Sequence, residues 1–230
     1  WFKKLKEESH VEIMELIRSR HSVRRYVDKP IEESKRETIN KNIDKYKQES
    51  GLNIQVCFDE PKAFQTLLAH YGSFRNAVNY IAFVGKKDEE SKVGYYGQAL
   101  VLKLQEIGLH SCWVAVSYSK RKTPIKTNKG EDILSVISFG YGETQGVQHR
   151  SKKAEDIAEV VGEKPSWFDL GIEAAMLAPT AVNQQKFKII CDNGAVTVRK
   201  VGVGYYQNID LGIIKYHFEA VTGQKVEVIN

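Results

Sequence analysis

The chain has 230 residues, of which 42% are hydrophobic and 27% charged, and its formal net charge is +5 at pH 7. This length suits one or two domains with a substantial core, and the composition excludes collagen-like, low-complexity and wholly disordered chains. No apolar stretch reaches the roughly 18 residues of a transmembrane helix, so we expect no membrane partner. The mild positive charge favours an anionic ligand but is weak evidence for nucleic acid, which we do not expect as a partner.

The three cysteines, Cys57, Cys112 and Cys191, each lie inside an apolar segment. An odd number of buried thiols is typical of a reducing compartment rather than of a disulfide framework. The first residues, Trp1–Glu8, lack the continuous apolar core of a secretory signal. The expected location is therefore cytoplasmic.

Hydrophobic periodicity predicts an alternation of helices and short strands along the chain. The predicted helices cover residues 11–20, 31–47, 62–69, 95–107, 167–177 and 205–220. The predicted strands cover residues 53–58, 80–84, 112–116, 133–139, 187–191, 195–200 and 225–229. Ser166 is the expected N-cap of its helix, Gly108 the expected C-cap, and Asp192–Gly194 the turn of a hairpin. Strict β–α–β alternation is missing, so the pattern favours an α+β fold.

Two stretches of the sequence resemble each other. Lys29-Pro30 precedes a helix and then a strand ending near Cys57, and Lys164-Pro165 precedes a helix and then a strand ending near Cys191. The segments Gly94–Tyr96 and Gly204–Tyr206 then each open a long predicted helix, in the same order. This indicates a duplicated α+β unit with halves 1–145 and 146–230, although one irregular domain with coincidental matches remains an alternative. Two such copies would form a pseudo-dimer with a ligand cleft between them.

Two basic segments combine residue types suited to an anion. Arg20–Arg25 carries three guanidinium groups, an imidazole and a hydroxyl, and His149–Lys153 has similar chemistry in the second half. Arginine forks and a serine hydroxyl match phosphate oxygens, and each charge-assisted hydrogen bond contributes roughly 1.5–3 kcal/mol. From composition alone a solvated basic turn is slightly favoured for the first segment, and a solubilising loop is the alternative for the second.

Two further segments are candidate ligand contacts. Ala178–Gln185 runs from small residues into amide side chains, which suits close approach to a flat ring with donors and acceptors, or an ordinary loop. Gly108–Val116 is a strand whose end lines a pocket or belongs to the core. The histidines and cysteines lack zinc spacing, so no metal is predicted, and neither a G-x-S-x-G elbow nor a Walker loop occurs.

Six segments together resemble motifs of the FMN-dependent nitroreductase family. In chain order they are similar to its R-[RH]-S-x-R, N-A-P, G-L-G-x-C-W, G-Y, R-K-x-x-E-E and A-P-S-x-x-N-x-Q-P patterns. The segments are Arg20–Arg24, Asn76–Val78, Gly108–Trp113, Phe139–Gly142, Arg150–Asp156 and Ala178–Gln185. They cover most of the chain, and the resemblance implies a nitroreductase-like α+β fold, in the branch where one chain carries two fused half-units.

The A-P-S-like motif stands in an unusual place. In ordinary family members it lies in the first third of the chain, whereas here Lys45–Gly51 occupies that place and the motif appears at Ala178–Gln185. Ordinary members are homodimers with FMN at the interface, so the resemblance implies that the second half replaces the partner subunit. We therefore expect a pseudo-dimeric monomer with one FMN per chain, a degenerate second site, and further association left open.

The resemblance also implies the cofactor contacts. The first basic segment would hold the FMN phosphate, the second would lie over the phosphate or ribityl chain, and the A-P-T loop would contact the isoalloxazine ring. The strand end would run beneath the ring, with a backbone N–H near flavin N5. The residues are, in that order, Arg20, His21, Ser22 and Arg24; Arg150 and Lys152; Pro179, Thr180, Ala181 and Asn183; and Trp113, Ala115 and Val116.

The activity that the resemblance implies is oxidoreduction. NAD(P)H would give hydride to flavin N5, and a small electron-poor acceptor such as a nitroaromatic or a quinone would then take it. The flavin carries the redox chemistry, so no catalytic side chain is predicted. Alternatives are a flavin-binding or sensor protein without turnover, another flavin reaction such as dehalogenation or flavin cannibalism, and a nucleic-acid-binding protein using Lys120–Lys129 and His149–Lys153. Interleaved acidic residues argue against the last.

Overall fold

A computed structural model describes residues 12–229 of the chain, apart from the side chain of residue 68. These residues form two compact units, each described by itself. The continuous unit is Arg20–Val147, and the composite unit joins residues 12–19 to residues 148–229. The division after Val147 lies close to the predicted one after residue 145. Residues 12–19, however, belong to the composite unit and not to the continuous one.

The described residues contain seven α-helices and eight strands. The helices are α1 (residues 12–19), α2 (Glu33–Ser50), α3 (Leu67–Tyr71), α4 (Glu90–Glu106), α5 (Ala154–Ile157), α6 (Phe168–Met176) and α7 (Gln207–Thr222). The strands are β1 (Asn53–Cys57), β2 (Asn79–Gly85), β3 (His110–Val114), β4 (Asp132–Gly140), β5 (Ala158–Val161), β6 (Phe187–Asp192), β7 (Ala195–Lys200) and β8 (Val226–Ile229). Between residues 12 and 229, no helix is both long and apolar enough to cross a membrane.

The continuous unit is built on a four-stranded antiparallel sheet in the order β1-β2-β4-β3. Every residue of β2 is buried, because α4 covers one face of the sheet and an aromatic cluster around Phe64 covers the other. The rings of Phe74, Tyr80 and Tyr118 lie 5.1–6.0 Å from that of Phe64. Such coverage on both faces explains why β2 is a continuous apolar run rather than an alternating one.

The composite unit has a mixed sheet in the order β5-β6-β7-β8. The outer pairs are parallel and the central pair, β6 and β7, is antiparallel. The predicted hairpin turn is confirmed: Asn193 and Gly194 both have positive φ, 46° and 89°, as a two-residue type I′ turn requires. Helices α6 and α7 pack on each other, and α1 is tied to α6 by the Arg18 guanidinium, which donates to Glu173 at 2.8 and 3.0 Å across 155 residues.

The two units share part of their element order. Apart from the short α3, each contains a helix, two antiparallel strands, a long helix and a further strand. The sheets differ, because β4 separates β2 from β3 whereas β7 pairs directly with β8. The predicted α+β class is confirmed, and the internal duplication stays a prediction.

Two local predictions are wrong. Ser166 does not cap α6: the helix follows Trp167, and the Phe168 N–H donates to the Pro165 carbonyl at 3.1 Å, so the turn begins at the proline. Gly94–Tyr96 lies inside α4, which begins four residues earlier. Gly204–Tyr206, in contrast, directly precedes α7. The two matched segments of the predicted repeat therefore lie at different positions relative to their helices.

The end of β3 and the cysteines also differ from expectation. β3 ends at Val114, so Ala115 and Val116 lie in the bend that follows and not in the strand. All three thiols are free, but only Cys112 and Cys191 are buried, since Cys57 is half-buried.

Gly97 of α4 sets the distance between this helix and the sheet. A Cβ at this position would lie 2.2 Å from Trp113 Cη2 and 3.1 Å from Phe83 Cζ. Gly→Ala in a helix normally stabilises by about 1 kcal/mol, but here we expect Gly97→Ala to lower the free energy of unfolding by about 1–3 kcal/mol through overpacking. Urea unfolding measures it, and adding Trp113→Phe should recover part of the loss. A Gly97→Ala variant as stable as the wild type would contradict this packing.

Candidate functional site

The segment Arg20–Val27 runs in extended form along the free edge of β3. Three isolated bridges tie it to the unit: Ser22 with Ser111, Arg25 with Arg75, and Tyr26 with Gly142. In an extended chain, alternate side chains point to opposite sides. Val23 is accordingly buried in the core, and Arg25 pairs with Glu143 at 3.0 Å.

The side chains of Arg20, Ser22 and Arg24 act on the thiol of Cys112. Burial raises the pKa of the Cys112 thiol, while the charges of Arg24 and Arg20 and a hydrogen bond with Ser22 act in the opposite direction. The motif R-x-S-x-R therefore brings two guanidinium charges and one hydroxyl into the neighbourhood of Cys112, with the Arg24 side chain exposed.

Arg20 is the most buried cation of this group, with only 4% of its surface exposed. Within residues 12–229, its Nε has no hydrogen-bond partner. Burial lowers the Arg20 pKa to about 10. A buried guanidinium with an unused donor is costly unless an anion accepts it, and a phosphate oxygen matches that donor. The group therefore fits the FMN phosphate that the resemblance implies.

Gly146 brings a second loop against the same segment. It has a φ of +74°, and a Cβ there would lie 2.8 Å from the Cβ of His21. His110 holds this loop: its Nδ1 accepts the Gly142 N–H at 3.1 Å, and its Nε2 lies 2.8 Å from Gln145 Oε1. Because Nδ1 accepts, the ring proton is assigned to Nε2, which donates to Gln145.

Trp113 points to the opposite face of the sheet from Cys112. Its indole stacks on Phe83 with 5.8 Å between ring centroids, and Nε1 donates to Gln98 Oε1 at 3.0 Å. The structure gives this side chain a packing role, and its contact with a cofactor stays a prediction. Ala115 and Val116 follow in the bend, where Val116 is 65% exposed.

In the composite unit, Ala178–Gln185 forms a strained loop between α6 and β6. Val182, Asn183 and Gln185 have φ values of 47°, 54° and 45°. A β-branched residue in the left-handed region is a genuine outlier, costing on the order of 1–3 kcal/mol. Val182 is nevertheless 85% exposed, so burial of its own side chain does not offset the strain.

Asp210 and Thr180 accept the hydrogen bonds that hold the loop in this conformation. Asp210 Oδ1 accepts the Ala181 N–H at 2.9 Å, and Oδ2 accepts Gln184 Nε2 at 2.7 Å. Thr180 Oγ1 accepts the Gln185 N–H at 3.1 Å. Burial raises the pKa of Asp210 from 3.8 to about 6, although both hydrogen bonds favour its ionised form.

Gln184 links the loop to the start of α7. Its Nε2 donates to the Tyr205 carbonyl at 2.6 Å, and its Oε1 accepts the Tyr205 N–H at 3.2 Å. A Cβ on Gly204 would lie 2.2 Å from Gln184 Oε1, so only glycine leaves room for this amide. The Tyr205 side chain itself is 72% exposed.

The basic segment is bound to the same loop. The Arg150 carbonyl accepts Asn183 Nδ2 at 3.0 Å and Gln185 Nε2 at 2.8 Å. The Lys152 N–H donates to Gln185 Oε1 at 2.8 Å, and Lys152 Nζ donates to the Gln185 carbonyl at 2.9 Å. The Asn183 amide and the Lys152 ammonium thus stabilise the loop, while the Arg150 side chain is exposed.

The predicted cofactor residues form two groups, one in each unit. The continuous unit holds Arg20, His21, Ser22, Arg24, Trp113, Ala115 and Val116, and the composite unit holds Arg150, Lys152, Pro179, Thr180, Ala181 and Asn183. Sequence reasoning missed Asp210, because an acidic residue in the first turn of a helix is ordinary there. It also missed Gly146 and His110, whose partners are distant in the chain.

Three comparisons with known proteins followed. The model of a family described as "Putative TM nitroreductase" matches residues 12–222. A search of curated proteins found no match. A crystal structure of a "putative nitroreductase" from Thermotoga maritima is 22% identical with a TM-score of 0.65, covering 91% of this chain and 82% of that one. This similarity shows that the chain has a nitroreductase-like α+β fold.

Two further solved structures are more distant. An FMN-dependent nitroreductase from Clostridium difficile is 20% identical, with a TM-score of 0.46 and coverage of 62% of this chain and 92% of that one. A "putative nitroreductase" in complex with FMN, from Desulfovibrio desulfuricans, is 18% identical, with a TM-score of 0.48 and coverage of 66% and 96%.

Replacing Val182 by glycine should stabilise the protein. Glycine adopts positive φ without the penalty of about 1–2 kcal/mol that a side chain incurs. Its greater loss of backbone entropy on folding, about 0.5–1 kcal/mol, offsets part of this gain. We expect the free energy of unfolding to rise by up to about 1 kcal/mol in urea titrations. Val203→Gly is the matched control, since Val203 is 90% exposed but has no positive φ. Equal destabilisation by both changes would contradict strain at Val182.

Asp210 should make stability depend on pH. Its pKa of about 6 lies above the ordinary 3.8, so ionisation costs more in the folded chain than in the unfolded one. This cost is absent below about pH 4, grows up to about pH 6, and is at most roughly 3 kcal/mol. Since Asp210→Asn does not titrate, the stability of the wild type relative to the variant should fall as pH rises from 4 to 7 in urea unfolding. A constant difference would contradict the raised pKa.

Proposed function

The chain belongs to the nitroreductase family whose model it matches, and we propose on this premise that it is an FMN-dependent oxidoreductase. Bound FMN would supply the redox chemistry between NAD(P)H as electron donor and a small electron-poor acceptor such as a nitroaromatic or a quinone. The protein's part is to bind and orient the cofactor and its reactants, which needs no acid or base among the side chains.

The observation that carries this proposal is the unused donor of Arg20. Its guanidinium is buried, its Nε lacks a partner among the described residues, and Arg24 and Ser22 act with it on the Cys112 thiol. A doubly charged phosphate would compensate both cations and accept several charge-assisted hydrogen bonds. We assign the FMN phosphate to Arg20, Ser22 and Arg24, with His21 alongside.

The composite unit would contribute contacts to the ring and the ribityl chain. The hydroxyl of Thr180 accepts the Gln185 N–H, so its own hydrogen remains available for a ring acceptor. Pro179 and Ala181 offer small apolar surfaces beside it. The Arg150 side chain is exposed and is the cation assigned to the phosphate or ribityl chain, while Lys152 and Asn183 shape the loop.

The N–H groups of Ala115 and Val116 are the proposed donors near flavin N5. The ladder between β3 and β4 ends at Val114, so these two groups lie outside its hydrogen bonds. A donor at this position would stabilise the reduced ring. The second candidate, a flavin-binding protein without turnover, would bind FMN in the same way, and steady-state oxidation of NAD(P)H with an added acceptor separates the two.

Arg20→Gln should weaken FMN binding without weakening the fold. Losing one or two charge-assisted hydrogen bonds of about 1.5–3 kcal/mol each corresponds to at least a tenfold rise in the FMN dissociation constant. The change removes a buried, uncompensated charge, so the thermal midpoint of the apoprotein should stay or rise. Fluorescence titration of apoprotein with FMN measures affinity, and released flavin gives the stoichiometry, for which we expect one per chain.

Arg25→Gln is the matched control for this experiment. Arg25 lies in the same segment, but its side chain is 59% exposed and pairs with Glu143. We expect unchanged FMN affinity in this variant. Full FMN affinity in Arg20→Gln, or an equal loss in both variants, would refute the phosphate assignment, and two FMN per chain would refute the single site.

A further inference from the structure

We propose that Asp210 is a positioning residue, which with Gln184 clamps loop 178–185 in the one conformation that serves the flavin and its planar aromatic acceptor. The inference rests on the proposed FMN-dependent function and deepens it. Asp210 lies outside the motifs that suggested the cofactor contacts, and the argument for it comes from the geometry of the composite unit.

The first step is the placement of the two hydrogen bonds. Asp210 is only 6% exposed, and its two oxygens bind different parts of the loop, the Ala181 N–H and the Gln184 amide. Between these two points lie Val182 and Asn183, both with positive φ. The carboxylate therefore closes the strained part of the loop at both ends. A loop of this kind would relax toward ordinary backbone angles without such closure.

The second step is the link to the start of α7. Gln184 donates to the Tyr205 carbonyl and accepts the Tyr205 N–H, and Gly204 leaves the space that the amide occupies. Asp210 stands in the first turn of α7, where its own N–H donates to the Tyr206 carbonyl at 3.1 Å. The helix dipole favours a negative charge at this end. One carboxylate thus fixes two segments that are distant in the sequence.

The third step concerns the side chains that these hydrogen bonds leave exposed. Val182 and Tyr205 stand on the two segments that Gln184 joins, and their side chains are 85% and 72% exposed. A valine held in the left-handed region and left in solvent is not explained by packing. An aliphatic and an aromatic surface with fixed backbones suit a planar, apolar ligand better than a small hydrophilic one. A quinone, an acceptor class of the proposed function, is therefore the probe used for this surface.

The experiment compares Asp210→Asn with a matched control on the same helix. Asp210→Asn keeps the volume and one acceptor oxygen but sets an amide NH₂ against the Gln184 NH₂. Adding Gln184→Glu returns an acceptor to face that amide, although it gives up the donation to the Tyr205 carbonyl, so it restores only the contact with residue 210. The control is Glu219→Gln: Glu219 is 9% exposed, lies near the other end of α7, and accepts the Val226 N–H at 2.8 Å.

Three readouts are measured on the full chain. Hydrogen exchange reports the order of residues 178–185, fluorescence titration gives the FMN dissociation constant, and steady-state kinetics compare a quinone with ferricyanide. For Asp210→Asn we expect faster hydrogen exchange in the loop and a roughly tenfold higher FMN dissociation constant, which is the effect of losing one charge-assisted hydrogen bond. Relative to the wild type, the KM for the quinone should rise more than the KM for ferricyanide. The double variant should recover part of each, and Glu219→Gln should change none.

The outcomes separate this inference from the proposed function. A wild-type protein that binds no FMN would refute both. A wild-type protein that binds FMN, with an Asp210→Asn variant unchanged in loop exchange, FMN affinity and quinone KM, would refute only the positioning role. Equal effects of Asp210→Asn and Glu219→Gln would likewise reduce Asp210 to a structural residue.

Discussion

Buried backbone and side-chain polar groups must find hydrogen-bond partners, and this constraint governs both segments that carry the candidate site. Neither segment is a regular helix or strand, so neither can use a repeating ladder. Arg20–Val27 solves the problem by lying along the edge of a finished sheet, with single bridges to β3 and to nearby loops. Ala178–Gln185 has no such edge and depends on side chains instead, chiefly Asp210 and Gln184. The form of each segment follows from the partner available to it.

Arg20 in the first segment and Asp210 of α7, which binds the second, each carry a charge that burial disfavours. Burial shifts the pKa of Arg20 down and that of Asp210 up, in both cases toward the neutral form. Val182 adds backbone strain beside one of them. Such violations of local preference are uncommon and tend to collect at functional sites, where they are compensated by ligand binding or by the surrounding structure. Arg20 and Val182 lie in segments that resemble cofactor motifs, and Asp210 binds one of those segments, which is consistent with the proposed function.

The sequence predicts this fold well wherever the signal is local. The apolar run of β2 and the Asn193-Gly194 turn each determine their own backbone, and both are found as expected. Ser166 fails as a cap because the carbonyl of Pro165 accepts the N–H that a cap would have taken.

The remaining parts of the site depend on contacts between distant residues. Asp210 is an ordinary acidic residue of a first helical turn until the loop around Ala181 folds against it. Gly146 matters only because His21 lies opposite, and the indole of Trp113 is turned inward because Gly97 leaves room. No periodicity or spacing encodes such pairs, so a single sequence cannot reveal them. The motif resemblance pointed to these segments but could not assign the contacts of each side chain within them.

The membership of α1 in the composite unit has a consequence for synthesis on the ribosome. Residues 12–19 are made early, yet Arg18 finds Glu173 only after 155 further residues have been added. The continuous unit, Arg20–Val147, is complete well before that, with its whole sheet available. Domains fold as units during translation, N-terminal ones first. Here α1 instead waits, with the Met14 and Ile17 surfaces uncovered, until α6 has emerged. During that interval the helix lacks the rest of the unit to which it belongs.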